Sequence, residues 1–147
     1  SVALVLGDGP KEVIAFVDPE CGYCQRAMAW FEQQNFKNVK LLTYFMPLKP
    51  RPQAEAKALE VMCAKPADRR AAMARAFDVN QRADTVNGIR CADGLKALEA
   101  QGQIAKAVGV YATPFFMVDG EVIAGFDRNK LSQVIASASP VKPTAAK

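Results

Sequence analysis

A pair of cysteines separated by two residues, Cys21-Gly22-Tyr23-Cys24, constrains this 147-residue chain more than anything else in it. Before it runs Val13-Ile14-Ala15-Phe16-Val17, short, apolar and β-prone; after it, Gln25 to Gln34 reads as an amphipathic helix. A CxxC turn between strand and helix opens and closes a disulfide with little backbone movement. The helix carries an apolar stripe at Cys24, Ala27, Met28 and Phe31, spaced i, i+3, i+4, i+7. That spacing turns Cys24 towards the core and leaves Cys21, one turn earlier, accessible to solvent. Cys21 also lies in the positive field of the helix N-terminus, where thiol pKa values fall to about 3.5–7.5.

The rest of the composition narrows the chemistry. The chain has no histidine, which removes Ser-His and Cys-His catalysis and every histidine-containing zinc site. Its net charge of +4 comes from scattered lysines and arginines, the pattern of an ordinary solvated surface and not of nucleic-acid binding. With half its residues apolar, a chain of this size buries roughly 68–70% of its unfolded surface without a metal or disulfide. Apolar runs are too short for membrane insertion. No basic segment followed by an apolar one opens the chain, so no signal peptide is read at its start, as in a mature, cleaved protein or equally in a trimmed chain.

Four cysteines, one close pair and one distant pair (Cys63 and Cys91), point to a catalytic disulfide plus a structural one. Closing the Cys63–Cys91 loop would add roughly 3.5 kcal/mol in the chain-entropy model and place the protein outside the reducing cytosol. The alternative is two buried free thiols in a cytosolic protein.

The order of elements is β-β-α-β, a helical block, then β-β-α. A strand over 2–6, a Gly7-Asp8-Gly9-Pro10 turn and the 13–17 strand come first, then the CxxC helix. Val39 to Met46 forms a strand parallel to the 13–17 strand, ended by Pro47, Pro50 and Pro52. Helices follow over about 53–64 and 68–77. After a loop holding Asn87-Gly88 and Cys91, another spans 95–108 and stops at Gly109. Phe115 to Val118, the Asp119-Gly120 turn and Glu121 to Ala124 make a hairpin, and a helix over 128–138 closes the fold. This is an α/β architecture: a central mixed sheet flanked by helices, with a helical insertion over about 53–108. Residues 1–138 form the domain, and 139–147, rich in Pro, Ala and Lys, a disordered tail.

CxxC is also half of a zinc site, but Cys63 and Cys91 do not supply a second such pair, and the strand–turn–helix context favours redox chemistry. Thiol–disulfide exchange needs a thiolate nucleophile and a resolving thiol. Cys21 fits the first role and Cys24, on the buried stripe, the second. Thr113-Pro114 precedes the Phe115 strand directly; taken alone, it is a turn, since only about 5–6% of such bonds are cis.

Val13-Ile14-Ala15-Phe16-Val17-Asp18 leading into Cys21-Gly22-Tyr23-Cys24, with Gly109-Val110-Tyr111-Ala112-Thr113-Pro114, resembles a thioredoxin-like fold. Over residues 2–135 the chain is most similar to the catalytic domain of the bacterial periplasmic disulfide isomerases DsbC and DsbG. The Gly-Tyr between the cysteines is that of DsbC, where thioredoxin has Gly-Pro and DsbA Pro-His. The resemblance implies that Pro114 is cis and lies against the CxxC, that Thr113 pairs its backbone with an extended substrate, and that Cys63 and Cys91 form the family's structural disulfide. Glu20 and Tyr23 flank the nucleophile as candidates for tuning it or touching substrate, beside a bland reading as exposed loop residues.

The implied protein is a periplasmic thiol–disulfide interchange enzyme that uses no cofactor beyond its cysteine pair. Its partners would be misfolded or disulfide-bonded secreted proteins and a membrane reductase of the DsbD type. The alternatives are a DsbA-like oxidase or, in another class, a zinc-held structural domain or chaperone-like binder. The family isomerases carry an N-terminal dimerisation domain, whereas this chain starts near the first strand of the catalytic domain; a monomer is expected of it as it stands, and a dimer only if an upstream domain is missing.

Overall fold

The strand that leads into Cys21 lies at the centre of the sheet. The computed structural model describes residues 2–46, 52–80 and 89–141. In it, β1 (Leu4–Leu6), β2 (Lys11–Val17), β3 (Val39–Phe45), β4 (Phe115–Val118) and β5 (Glu121–Ala124) form one five-stranded sheet in the order β1-β3-β2-β4-β5. β2 runs parallel to β3, to which a helix connects it, and antiparallel to β4; the other pairs are antiparallel. This is the mixed sheet expected from the sequence.

The two faces of β2 divide the core. Val13, Ala15 and Val17 point into the larger cluster, with Cys24, Ala27, Met28 and Phe31 of α1 (Gly22–Gln33). The same cluster takes in α2 (Pro52–Met62), α3 (Arg69–Ala76) and α5 (Arg128–Ser137), through residues such as Ala58, Met73 and Leu131. Ile14 and Phe16 face the other way, against Ala105 of α4 (Ala92–Val108), with Val110 and Phe115. Burying a side chain such as Phe31 on one face or Phe16 on the other is worth about 1.5–3 kcal/mol, so the sheet is held from both sides.

Several element ends differ from the sequence reading. The first strand covers only Leu4–Leu6, and Met46 lies outside β3. α1 begins at Gly22, so three of the four CxxC residues are helical. α4 begins three residues early, at Ala92, because Cys91 is its N-cap and its Sγ accepts the Gly94 N–H. A short 3-10 turn, Pro66–Asp68, precedes α3. Gly109 ends α4 in the left-handed region (φ 86°), and Asp119 (φ 51°) and Gly120 (φ 81°) form the tight β4–β5 turn.

Residues 139–141, expected in a disordered tail, are placed against the body: Ser139 N–H donates to Asp119 and Val141 N–H to the Pro10 carbonyl. Residues 142–147, Pro47, Pro50 and the Asn87-Gly88 turn lie outside the described residues; Pro52 opens α2.

Candidate active site

Asp18 builds the turn that presents the cysteines. It is fully buried at the end of β2; its carboxylate accepts the Glu20 N–H at 2.8 Å and its carbonyl accepts the Cys21 N–H at 3.0 Å. Gln25 ties the turn from the helix side through the Pro19 carbonyl (2.9 Å). Cys21 is then the N-cap of α1: its carbonyl accepts the first helical hydrogen bond, from Gln25 N–H, and its Sγ accepts the Cys24 N–H at 3.4 Å. A sulfur thus occupies the place where a helix start favours an acceptor or an anion.

The second half of the site arrives through strand register. Phe16 pairs with Phe115 across β2 and β4, so the residues just before Phe115 fall beside the end of β2. The Thr113–Pro114 bond is cis, and Gly125 N–H holds the Pro114 carbonyl at 2.8 Å. The Thr113 carbonyl lies 3.5 Å from Cys21 Sγ, which donates to it as a thiol. Cys21, Cys24, Thr113 and Pro114, widely separated in sequence, thereby meet at one end of the sheet.

This meeting corrects one expectation. Cys21 is only 6% exposed and not freely accessible, because the Thr113 loop and the first turn of α1 enclose it. Any disulfide that reacts with this sulfur must therefore reach it between the Thr113 loop and the first turn of α1.

The two thiols diverge electrostatically. Both are free in this structure. Burial would raise the Cys21 pKa, but hydrogen bonds from the Cys24 thiol and N–H and from the Tyr23 N–H outweigh it and hold it below the ordinary thiol value. Cys24 has no exposure; burial pushes its thiol well up, the Cys21 sulfur adds to this, and the Asp18 N–H (3.5 Å to Sγ) offsets only part. Cys21 is therefore the group that ionises first, and Cys24 stays protonated beneath it.

The flanking residues split. Tyr23 is 58% exposed, with the Arg26 guanidinium 4.9 Å from its ring centroid. Glu20 forms an ion pair with Lys57 of α2, Nζ to Oε1 3.2 Å, and Lys57 is only 2% exposed. From sequence alone Lys57, Asp18 and Tyr111 have no evident role, although Asp18-Pro19 carries a turn signal that could have marked Asp18. Tyr111 is 73% exposed, its ring held edge-on by Phe115 at 5.8 Å, beside the Thr113 loop.

Cys63 and Cys91 are joined by a disulfide with Cα atoms 5.8 Å apart, linking the end of α2 to the start of α4. Among the described residues no group of three or more His, Cys, Asp or Glu side chains is arranged to hold a metal, and no helix is long and apolar enough to cross a membrane.

Strand order, the dithiol at a helix start and the facing cis-proline loop together define a thioredoxin-like fold, and solved structures share it. The disulfide interchange protein of Neisseria gonorrhoeae is similar over 94% of this chain and 97% of its own, with 23% identity and a TM-score of 0.75. A thioredoxin-like oxidoreductase of Silicibacter pomeroyi (20% identity, 92% and 91% covered, TM-score 0.76) and a periplasmic thioredoxin-like protein of Salmonella enterica serovar Typhimurium (18%, 92% and 88%, 0.75) are similar as well. No family model and no curated protein sequence matches the chain.

Proposed function

We propose that this chain is a thiol–disulfide interchange enzyme acting on disulfides of secreted proteins in the periplasm, of the isomerase or reductase type represented by DsbC and DsbG. One observation carries the reading: an N-capping Cys21, biased towards its thiolate, over a buried and protonated Cys24. In this mechanism the Cys21 thiolate attacks a substrate disulfide and forms a mixed disulfide, and the departing substrate sulfur takes up a proton. Cys24, once deprotonated, attacks Cys21 Sγ and releases the substrate as a thiol, leaving Cys21–Cys24 oxidised; isomerisation instead has a second substrate thiolate attack the mixed disulfide. The Thr113 backbone and Tyr23 would align an extended substrate segment at Cys21, and Cys63–Cys91 would brace the helical insertion. A membrane reductase of the DsbD type would restore the dithiol. The names of the similar structures, disulfide interchange and periplasmic proteins among them, support this reading.

A second reading, a disulfide-donating oxidase, is favoured by the stabilised Cys21 thiolate, because stabilising the reduced form makes the disulfide more oxidising. The reduction potential of Cys21–Cys24, with refolding of a scrambled-disulfide protein, tests both. A potential near the isomerase value of about −180 mV with recovery of native disulfides supports the first reading; a potential near about −120 mV with net disulfide donation supports the second. A value more reducing than about −230 mV contradicts both and indicates a thioredoxin-like reductase.

A further inference from the structure

The Cys63–Cys91 disulfide repeats, inside the helical insertion, the local geometry of the Cys21 turn. Cys91 is the N-cap of the 17-residue α4; its backbone is extended and its Sγ accepts the Gly94 N–H at 3.2 Å. Cys21 caps α1 in the same way, its Sγ accepting the N–H three residues on at 3.4 Å. Each sulfur sits at the positive end of its helix.

The partner sulfur is placed at the opposite kind of end. Cys63 directly follows α2, and its N–H donates to the Leu59 carbonyl at 2.8 Å, so it lies where the helix presents carbonyls and disfavours an anion. The disulfide therefore joins a sulfur that carries negative charge well to one that carries it badly. Both cysteines are partly exposed, but a groove meets only one of them. A groove of about 330 Å3 opens on Cys63, between Glu60 and Asp68 and the cationic Lys65 and Arg75, and Cys91 is not part of its lining. From the α4 side both sulfurs are covered by Gly94, where a Cβ would lie 2.5 Å from Cys63 Sγ and 2.8 Å from Cys91 Sγ.

We propose that Cys63–Cys91 is a second thiol-exchange centre, in which a small zwitterionic peptide thiol entering this groove attacks Cys63 and expels Cys91. The incoming thiolate forms a new S–S bond to Cys63 Sγ. The Cys63–Cys91 bond breaks, and its electron pair leaves on Cys91, where the Gly94 N–H and the start of α4 receive it. A second molecule of the thiol, attacking the adduct, carries away the first as a small disulfide, so two thiols supply the two electrons. In reverse, the Cys91 thiolate displaces the small thiol and closes the bond. Exchange rates rise as the leaving thiol becomes more acidic, which fixes the direction of attack. The mixed disulfide frees α2 from α4 while Cys63 stays capped.

This centre is independent of the proposed reaction at Cys21, and the test separates them. A Cys21→Ala/Cys24→Ala variant and the wild-type chain, both oxidised, are incubated with reduced glutathione near neutral pH, quenched with N-ethylmaleimide and peptide-mapped, with circular dichroism to verify the fold. In both, glutathione is expected on Cys63 and maleimide on Cys91, in at least about tenfold excess over the reverse pattern. Equal labelling, glutathione mainly on Cys91, or reaction only at the rate of global unfolding would overturn the proposal. In the reduced protein, maleimide labelling should set in at lower pH for Cys91 than for Cys63; coincident profiles would equally overturn it.

Discussion

Replacing Gly94 by alanine sets helix propensity against the disulfide it packs on. An alanine Cβ would lie 2.5 Å from Cys63 Sγ and 2.8 Å from Cys91 Sγ, where a normal contact is about 3.5–4.0 Å. Neither sulfur is the free end of a flexible side chain, since each is bonded to the other and anchored at a helix terminus. Either the first turn of α4 withdraws, an overpacking cost of about 1–3 kcal/mol, or the disulfide fails to close and roughly 3.5 kcal/mol is lost. Alanine regains up to about 1 kcal/mol over glycine in a helix, and Gly94 does not have the positive φ that alanine would resist. The net expectation is a loss on the order of 2 kcal/mol in the oxidised chain. In a Cys63→Ala/Cys91→Ala background the clash disappears and the sign should reverse, to a gain of up to about 1 kcal/mol, for a coupling of about 3 kcal/mol. Urea unfolding of all four proteins, followed by fluorescence of the single tryptophan, Trp30, measures the cycle. An equal effect of Gly94→Ala in both backgrounds would refute the reasoning.

Three further expectations follow from the polar groups. Alkylation of the reduced protein should saturate at Cys21 at a pH below the ordinary thiol value of 9.0, while Cys24 stays unreactive there. The stability that Cys21 adds is complete above its unfolded-state pKa and is lost as pH falls through its lower folded value, whereas the Cys24 contribution is lost as pH rises past the unfolded thiol value; a reduced-state stability that keeps rising above about pH 9 would contradict this assignment. Gln101→Leu should cost about 2–4 kcal/mol in chemical denaturation, because the buried Gln101 amide accepts from the Phe45 N–H (3.0 Å) and donates to the Val2 carbonyl (2.7 Å) and both would lose their partner. A loss under about 0.5 kcal/mol would mean that water replaces the amide.

What the sequence revealed and what it hid divide by distance along the chain. The Cys24, Ala27, Met28, Phe31 stripe is a local periodicity, and all four residues are buried where the 3.6-residue repeat puts them. The Asp119-Gly120 hairpin and the Gly109 helix stop are local as well, set by residues that tolerate positive φ. Cys21 is enclosed by a loop 92 positions away, which no local pattern reports, so its accessibility was overestimated. Lys57 and Gln101 read as ordinary polar residues on helices; only the assembled sheet shows one against Glu20 and the other joining the end of β3 to Val2, ahead of β1. Cys91 looked like part of a loop because a cysteine is an unusual N-cap, and its sulfur takes the role a serine oxygen would fill.

The division of labour between Cys21 and Cys24 is the centre of the account, and trapping the mixed disulfide tests it most directly. A Cys24→Ala variant, offered a protein with non-native disulfides, should accumulate a covalent complex that peptide mapping places at Cys21 and that a reductant dissolves. Cys21→Ala should form none, its remaining thiol being buried and protonated. A complex through Cys24 in the Cys21→Ala protein, at a rate matching the other variant, would contradict the assignment of Cys21 as nucleophile.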